Sequence, residues 1–157
     1  MEYEYSFNVS DIEEYLNYCK KNKYNLESYI KQIRTIYRNK NKTIARITIE
    51  KGKNVVKKLD FKEDKLDNKD LIVRKESKVI KFNSIKNCED ILNFLEYKKD
   101  NTLVRDRYTY VLNGVKFEID HYIQPIDTFV VAIEGDKEQV DKVYSDLSSL
   151  NDKYKIN

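Results

Sequence analysis

Two carboxylates two residues apart open the chain. In Glu2-Tyr3-Glu4-Tyr5-Ser6, a β-strand would place Glu2, Glu4 and Ser6 on one face and Tyr3, Tyr5 and Phe7 on the other. Alone, such a pair reads as an ordinary half-exposed edge strand. It gains meaning because acidic strands return late in the chain. Phe117-Glu118-Ile119-Asp120 puts Glu118 and Asp120 on one face, and Val131-Ala132-Ile133-Glu134 adds Glu134. Between them come strands whose polar faces carry Arg46, Lys58, Arg74, Arg105 and Arg107. Clustered carboxylate oxygens suit a hard divalent cation, Mg²⁺ or Mn²⁺. Clustered arginine and lysine suit an anion with many oxygens, phosphate above all. A divalent ion with a polyphosphate would satisfy both sets. Simpler readings stay open at this point. Glu2 and Glu4 could line a surface strand, Arg105 and Arg107 could pair across strands with Glu118 and Asp120, and Lys57 could replace Lys58 if the register slips by one.

The composition fits this picture. Charged residues make up 36% of 157, yet the net charge is only +3. Dense but balanced charge argues against general nucleic-acid binding, which usually shows a large basic excess. A nucleic acid is expected as a partner only through a 5′-triphosphate end. Three glycines and one proline exclude a linker-rich or low-complexity chain. Cys19 and Cys88 stand alone in helical patterns, which predicts free buried thiols in a reducing compartment. No apolar run approaches 18 residues and no signal-peptide pattern is present, so a cytoplasmic protein without a membrane is expected. The length suits one domain over residues 1–150, with 151–157 as a frayed tail.

Periodicity supplies the elements that would position these side chains. A first strand covers residues 1–8, and Ser10 with Glu13 forms a capping-box pattern for a helix over 11–21. After a polar loop over 22–28, a second strand runs from Tyr29 to Arg38, with Gln32 and Arg34 on one face. Thr43–Glu50 and Val55–Phe61 form a hairpin about Lys51-Gly52-Lys53-Asn54. A charged loop over 62–70 leads to a strand over Leu71–Phe82. Ser84 caps a helix to about Lys98, with Ile85, Cys88, Ile91, Leu92 and Leu95 on its apolar stripe. Thr102–Leu112 and Val115–Tyr122 flank the turn signal Asn113-Gly114. Thr128–Asp136 is the last strand, and a helix from Asp136 places Val140, Val143, Tyr144, Leu147 and Leu150 on one side. His121 falls on an apolar face, which reads as packing. The strands thus have one apolar and one charged face each, which suggests an α+β fold: a closed antiparallel barrel with charge inside and helices outside.

These motifs resemble the CYTH, or triphosphate tunnel metalloenzyme, superfamily, which includes class IV adenylate cyclases, thiamine triphosphatases and tripolyphosphatases. That family opens on E-x-E-x-K, matched by Glu2-Tyr3-Glu4-Tyr5-Ser6. Arg46 matches one arginine of an R-x-R pair, Val55-Val56-Lys57-Lys58 a strand ending in lysine, and Arg74-Lys75-Glu76 an R-x-E segment. Arg105-Asp106-Arg107-Tyr108, Phe117-Glu118-Ile119-Asp120 and Val131-Ala132-Ile133-Glu134 match the later motifs, so the resemblance spans about residues 1–148. It implies a closed eight-stranded tunnel and a metal-dependent triphosphatase. It implies Glu2, Glu4, Glu118, Asp120 and Glu134 as ligands of Mg²⁺ or Mn²⁺, and Arg46, Lys58, Arg74, Arg105 and Arg107 as contacts to a small triphosphate. Glu2, Glu4 and Arg107 would form the catalytic core. The sequence departs from the pattern at Ser6, which replaces lysine, at Ala132, which replaces glutamate, and beside Arg46, where one arginine is missing. Those departures keep a second reading in view, a tunnel that binds polyphosphate or nucleotide without turnover. Nucleotide cyclisation and RNA 5′-triphosphatase activity are further alternatives, and the reading leaves room for a homodimer.

Overall fold

A computed structural model describes residues 2–63 and 71–156. The elements run β1 (Glu2–Val9), α1 (Glu13–Lys21), β2 (Asn25–Arg38), β3 (Thr43–Lys51), β4 (Val55–Glu63), β5 (Leu71–Arg74), β6 (Ile80–Lys81), α2 (Ile85–Phe94), β7 (Lys98–Leu112), β8 (Val115–Gln124), β9 (Thr128–Gly135), α3 (Lys137–Asp146), α4 (Ser148–Tyr154) and β10 (Lys155–Ile156). The strands join one antiparallel sheet in the order β10-β1-β9-β8-β7-β2-β3-β4-β6, and β5 pairs with β1.

The closed eight-stranded barrel expected from the sequence does not form. The ladder ends at β10 on one side and at β6 on the other, so the sheet is open. The physical reason lies in residues 71–82, expected as one strand. They split into a four-residue β5 and a two-residue β6, with irregular chain between. Among the described residues, the irregular chain meets β4 through a single bridge, Lys62 to Glu76, with Glu63 N to Lys75 O at 3.1 Å and Ser77 N to Phe61 O at 2.9 Å, and β6 adds the pairs Lys58–Lys81 and Leu59–Ile80. A seam that short is no continuous ladder. The sheet still curls, helped by register irregularities in β2 and β7, where an extra residue bends a strand and adds twist. Its charged face turns inward around a cavity of about 500 Å³.

The apolar face is covered from outside. Phe7 and Val9 of β1, Phe117 and Ile119 of β8 and Val131 and Ile133 of β9 pack against Tyr15, Leu16 and Cys19 of α1 and Val140 and Val143 of α3. A second cluster places Cys88 and Leu92 of α2 against Tyr37, Ala45, Ile47 and Leu59. Both cysteines are free and buried, as the sequence predicts. Asn113-Gly114 turns the β7–β8 hairpin with φ of 49° and 83°, the left-handed geometry that favours these two residues.

Several boundaries differ from expectation. The cap of α1 is Ile12 without a side-chain bond, and Asp11 Oδ1 instead accepts from Glu13 N at 2.9 Å, so the Ser10 capping box does not form. β2 begins at Asn25, inside the supposed loop, because β7 is long enough to pair with it from Val111 to Lys98. α2 stops at Phe94, where Glu96 adopts φ of 64°, and it leaves Ile91 and Leu95 exposed. Over its described residues, 151–156, the tail expected at 151–157 is ordered: residues 151–154 belong to α4, and Lys155 and Ile156 form β10, which pairs with Asn8 and Val9. Most of the supposed 62–70 loop lies outside the described residues.

Candidate functional site

Strand alternation brings the charged side chains together. β1 directs Glu4 and Ser6 into the cavity, and β9 directs Ala132 and Glu134. Register places Glu4 opposite Glu134 and Ser6 opposite Ala132, while on its other flank β9 pairs Glu134 with Lys116 and Ala132 with Glu118. The predicted carboxylates Glu2, Glu4 and Glu134 thereby converge, with one oxygen from each lying within 4.8 Å of the others. Glu118 joins this group by sharing a hydrogen bond with Glu134.

Such crowding has an electrostatic cost, met by protons. Burial, the Glu118 charge and hydrogen bonds to Glu118 and Glu4 hold the Glu134 carboxyl well above the usual carboxylate range. Burial would raise Glu118 as well, but Arg107, the Glu134 hydrogen bond, Arg105 and Lys116 together hold it low. One proton therefore sits on Glu134 and is shared towards Glu118. Burial and a hydrogen bond with Glu76 push Glu2 up to about 7. Burial also works against ionised Glu76, but its bonds from Glu2 and Lys62 and the charges of Lys62 and Arg46 bring it down to about 2. Glu2 Oε1 is buried and has no partner. Three convergent carboxylates, one held protonated and one with an orphan oxygen, fit a divalent cation that would displace the proton.

Asp120 is not brought into this trio. Both its oxygens are taken by Arg107, from Nε at 2.7 Å and Nη2 at 2.8 Å, and Arg107 Nη1 bonds Glu118 at 2.6 Å. The cross-strand alternative for Arg107 therefore describes what forms. Arg46 is engaged likewise by Asp60 and by Glu76, the latter at 2.8 Å. Lys58 lines the cavity and pairs with Glu50 at 2.6 Å. Arg74 approaches Glu4 at 3.8 Å and keeps a buried Nε without a partner. Arg105 bonds Gln32 at 2.8 Å and the Tyr122 hydroxyl, and its Nη2 is buried and unpartnered. His121 stays out of the cavity lining, bonded to Asp127 and packed on Phe129.

Sequence reasoning missed Asp60 and Lys62. Both continue the Lys58 face of β4: Asp60 lay inside the expected strand but was not singled out, and Lys62 lay beyond the boundary drawn at Phe61, in a run of charges. Lys62 is buried and bonds Glu76 at 2.8 Å. Lys116 of β8 also lines the cavity, opposite Glu134. Altogether eight cationic and eight carboxylate side chains line the space. With Glu134 protonated the lining is only slightly positive, so net charge alone attracts a polyanion weakly. A divalent ion on the acidic side would make it more positive.

No family model and no curated protein matches the sequence at a significant level. Solved structures do match. A protein from Pyrococcus horikoshii is 18% identical, with a TM-score of 0.76, covering 95% of this chain and 88% of that one. A Hippeastrum protein provisionally named an adenylyl cyclase, and described as having a dominant triphosphatase activity, is 12% identical. Its TM-score is 0.71, over 100% of this chain and 91% of that one. The chain shares the fold of these proteins. A chain of the Schizosaccharomyces pombe Mediator head module is also similar, at 11% identity and a TM-score of 0.59, covering 99% and 98%. The shared fold thus occurs in very different settings, and activity must be argued from the cavity itself.

Proposed function

We propose that the cavity binds a small triphosphate together with Mg²⁺ or Mn²⁺ and hydrolyses a phosphoanhydride bond. The observation that carries this reading is the convergence of Glu2, Glu4 and Glu134, of which Glu4 and Glu134 line a cavity whose other walls bear arginine and lysine. The volume of about 500 Å³ lies within the range of ordinary small-molecule sites. Glu2, Glu4 and Glu134 would hold the ion, with Glu118 hydrogen-bonded behind Glu134. When bound, the ion would polarise a phosphoryl oxygen and offset its developing charge. Arg105 and Arg74, which keep unused donors, orient phosphoryl oxygens by charge-assisted hydrogen bonds. Arg107 holds Asp120 and Glu118 in place. Hydrolysis adds one water across the P–O–P bridge and gives orthophosphate and diphosphate from tripolyphosphate.

Ser6 opposite Ala132 supports a second reading, binding without turnover. That pair leaves neither a cation nor a carboxylate at this point of the wall. Incubation of the protein with Mn²⁺ and tripolyphosphate or ATP, following orthophosphate and cyclic AMP, separates the readings. Orthophosphate release that disappears in Glu4→Gln supports hydrolysis, and cyclic AMP from ATP supports cyclisation. Absence of both products beside a ligand-induced rise in Tm supports binding alone.

A further inference from the structure

Besides Arg74, which approaches Glu4, the arginines that line the cavity are of two kinds. Arg46 and Arg107 are each bonded to two carboxylates. Arg34 and Arg105 are held instead by neutral groups. Arg34 Nε donates to the Thr48 hydroxyl at 2.9 Å, its partner across the β2–β3 ladder, and Arg34 makes no ion pair among the described residues. Arg105 Nε donates to the Gln32 carbonyl at 2.8 Å and Nη1 to the Tyr122 hydroxyl, with Asp120 only at 3.8 Å from Nε. Gln32 itself donates to Glu50 at 2.7 Å, which fixes its carbonyl towards Arg105. Both guanidinium groups line the same cavity, and Arg105 Nη2 is buried without any partner.

Two enclosed cations with no carboxylate among the described residues within hydrogen-bond distance are costly unless an anion is supplied. Burial and the positive charges of Arg105, Arg46 and Arg107 all disfavour the charged form of Arg34, and Asp60 only partly opposes them. A guanidinium stays ionised under such pressure, so the strain is carried as unspent affinity for an oxyanion.

We propose that Arg34 and Arg105 form a two-arginine clamp for one phosphoryl group, and that Arg46 and Arg107 are positioning residues that hold carboxylates. This rests on the triphosphate reading and narrows it. The clamp draws its donors from β2 and β7, apart from the carboxylate trio on β1 and β9, so it grips an oxyanion without metal. Arg34 is then a binding residue that no motif in the sequence marks.

Calorimetric titration of inorganic tripolyphosphate, in EDTA and again with Mn²⁺, tests this. The proteins are wild type, Arg34→Gln, Arg34→Lys and Arg107→Gln. The clamp predicts saturable binding by wild type in EDTA, weakened about tenfold or more in Arg34→Gln and partly restored in Arg34→Lys, as loss of one charged hydrogen bond requires. It also predicts that unliganded Arg34→Gln melts no lower than wild type, because a repelled cation is removed, whereas Arg107→Gln melts lower. Equal affinity in Arg34→Gln and wild type overturns the proposal. Binding by wild type only when Mn²⁺ is present overturns the clamp and leaves the triphosphate reading standing. No binding under either condition removes both.

Discussion

Glu134→Gln separates the metal reading from a merely structural one. Glu134 lies against Glu4 and Glu118, and burial with the Glu118 charge keeps it protonated at neutral pH. A glutamine is nearly the same shape and is neutral, and its NH2 group replaces the single O–H donor of the protonated acid. Unliganded Glu134→Gln should therefore match wild type to within about 1 kcal/mol, a small effect for a buried site. An amide is a far poorer ligand than a carboxylate for a hard divalent ion. With Mn²⁺ at about 100 times its dissociation constant, wild type gains about 2.7 kcal/mol. For a domain of this size that is a rise in Tm of roughly 5–11 °C. The variant should lose most of that rise. Differential scanning calorimetry of both proteins, with EDTA and with Mn²⁺, reads both quantities. An unchanged Mn²⁺ response in Glu134→Gln refutes its role as a ligand. A fall in unliganded Tm of more than about 10 °C refutes the protonated state on which the reasoning depends.

Three further outcomes follow from the packing and charges. Arg107→Gln strands Asp120, which is 1% exposed, without its two hydrogen bonds, and should cost about 3–5 kcal/mol in urea unfolding. Asn151→Ala removes the acceptor of the fully buried Tyr15 hydroxyl, 2.8 Å away, and should cost about 1–3 kcal/mol; no change would return the residues from 151 onwards to the status of a tail. Glu2, raised from 4.5 to about 7, binds its proton more tightly when folded, so its contribution to stability is full below pH 4.5 and declines as pH rises towards 7. Its partner Glu76, lowered to about 2, contributes in the opposite sense, stabilising above pH 4.5 and losing that contribution as pH falls towards 2. The stability of wild type relative to Glu2→Gln should therefore fall between pH 4.5 and 7, measured by urea unfolding across that range, and a flat difference would contradict the raised pKa.

Much of the cavity was legible because a strand has period two. Glu4, Arg105, Arg107, Glu118 and Glu134 fall on the inner face by alternation alone, and Asn113-Gly114 fixes the hairpin that aligns three of them. Alternation assigns a face, however, and not a partner. It placed Arg107 and Asp120 together without saying that they saturate each other, and it put Arg34 beside Gln32 on one face without saying what its guanidinium meets. Lys62 was hidden because charge runs look like loops, though here the run continues a strand whose lysine is buried against Glu76. Closure of the sheet also depended on residues 75–79, whose alternation reads as strand but which leave the ladder after Arg74. Tertiary packing, unseen in local pattern, ended α2 at Phe94 and recruited Lys155 and Ile156 as an edge partner for β1.

The central claim is that carboxylates and arginines of one cavity hold a metal and a triphosphate together. Titration of tripolyphosphate into the protein in the presence of Mn²⁺, monitored by calorimetry, tests it most directly. The account predicts one saturable site in wild type whose affinity falls by about tenfold or more in Glu4→Gln, in step with loss of Mn²⁺ binding measured without tripolyphosphate. Absence of binding by a folded wild-type protein, or affinity unaffected by Glu4→Gln, would contradict it.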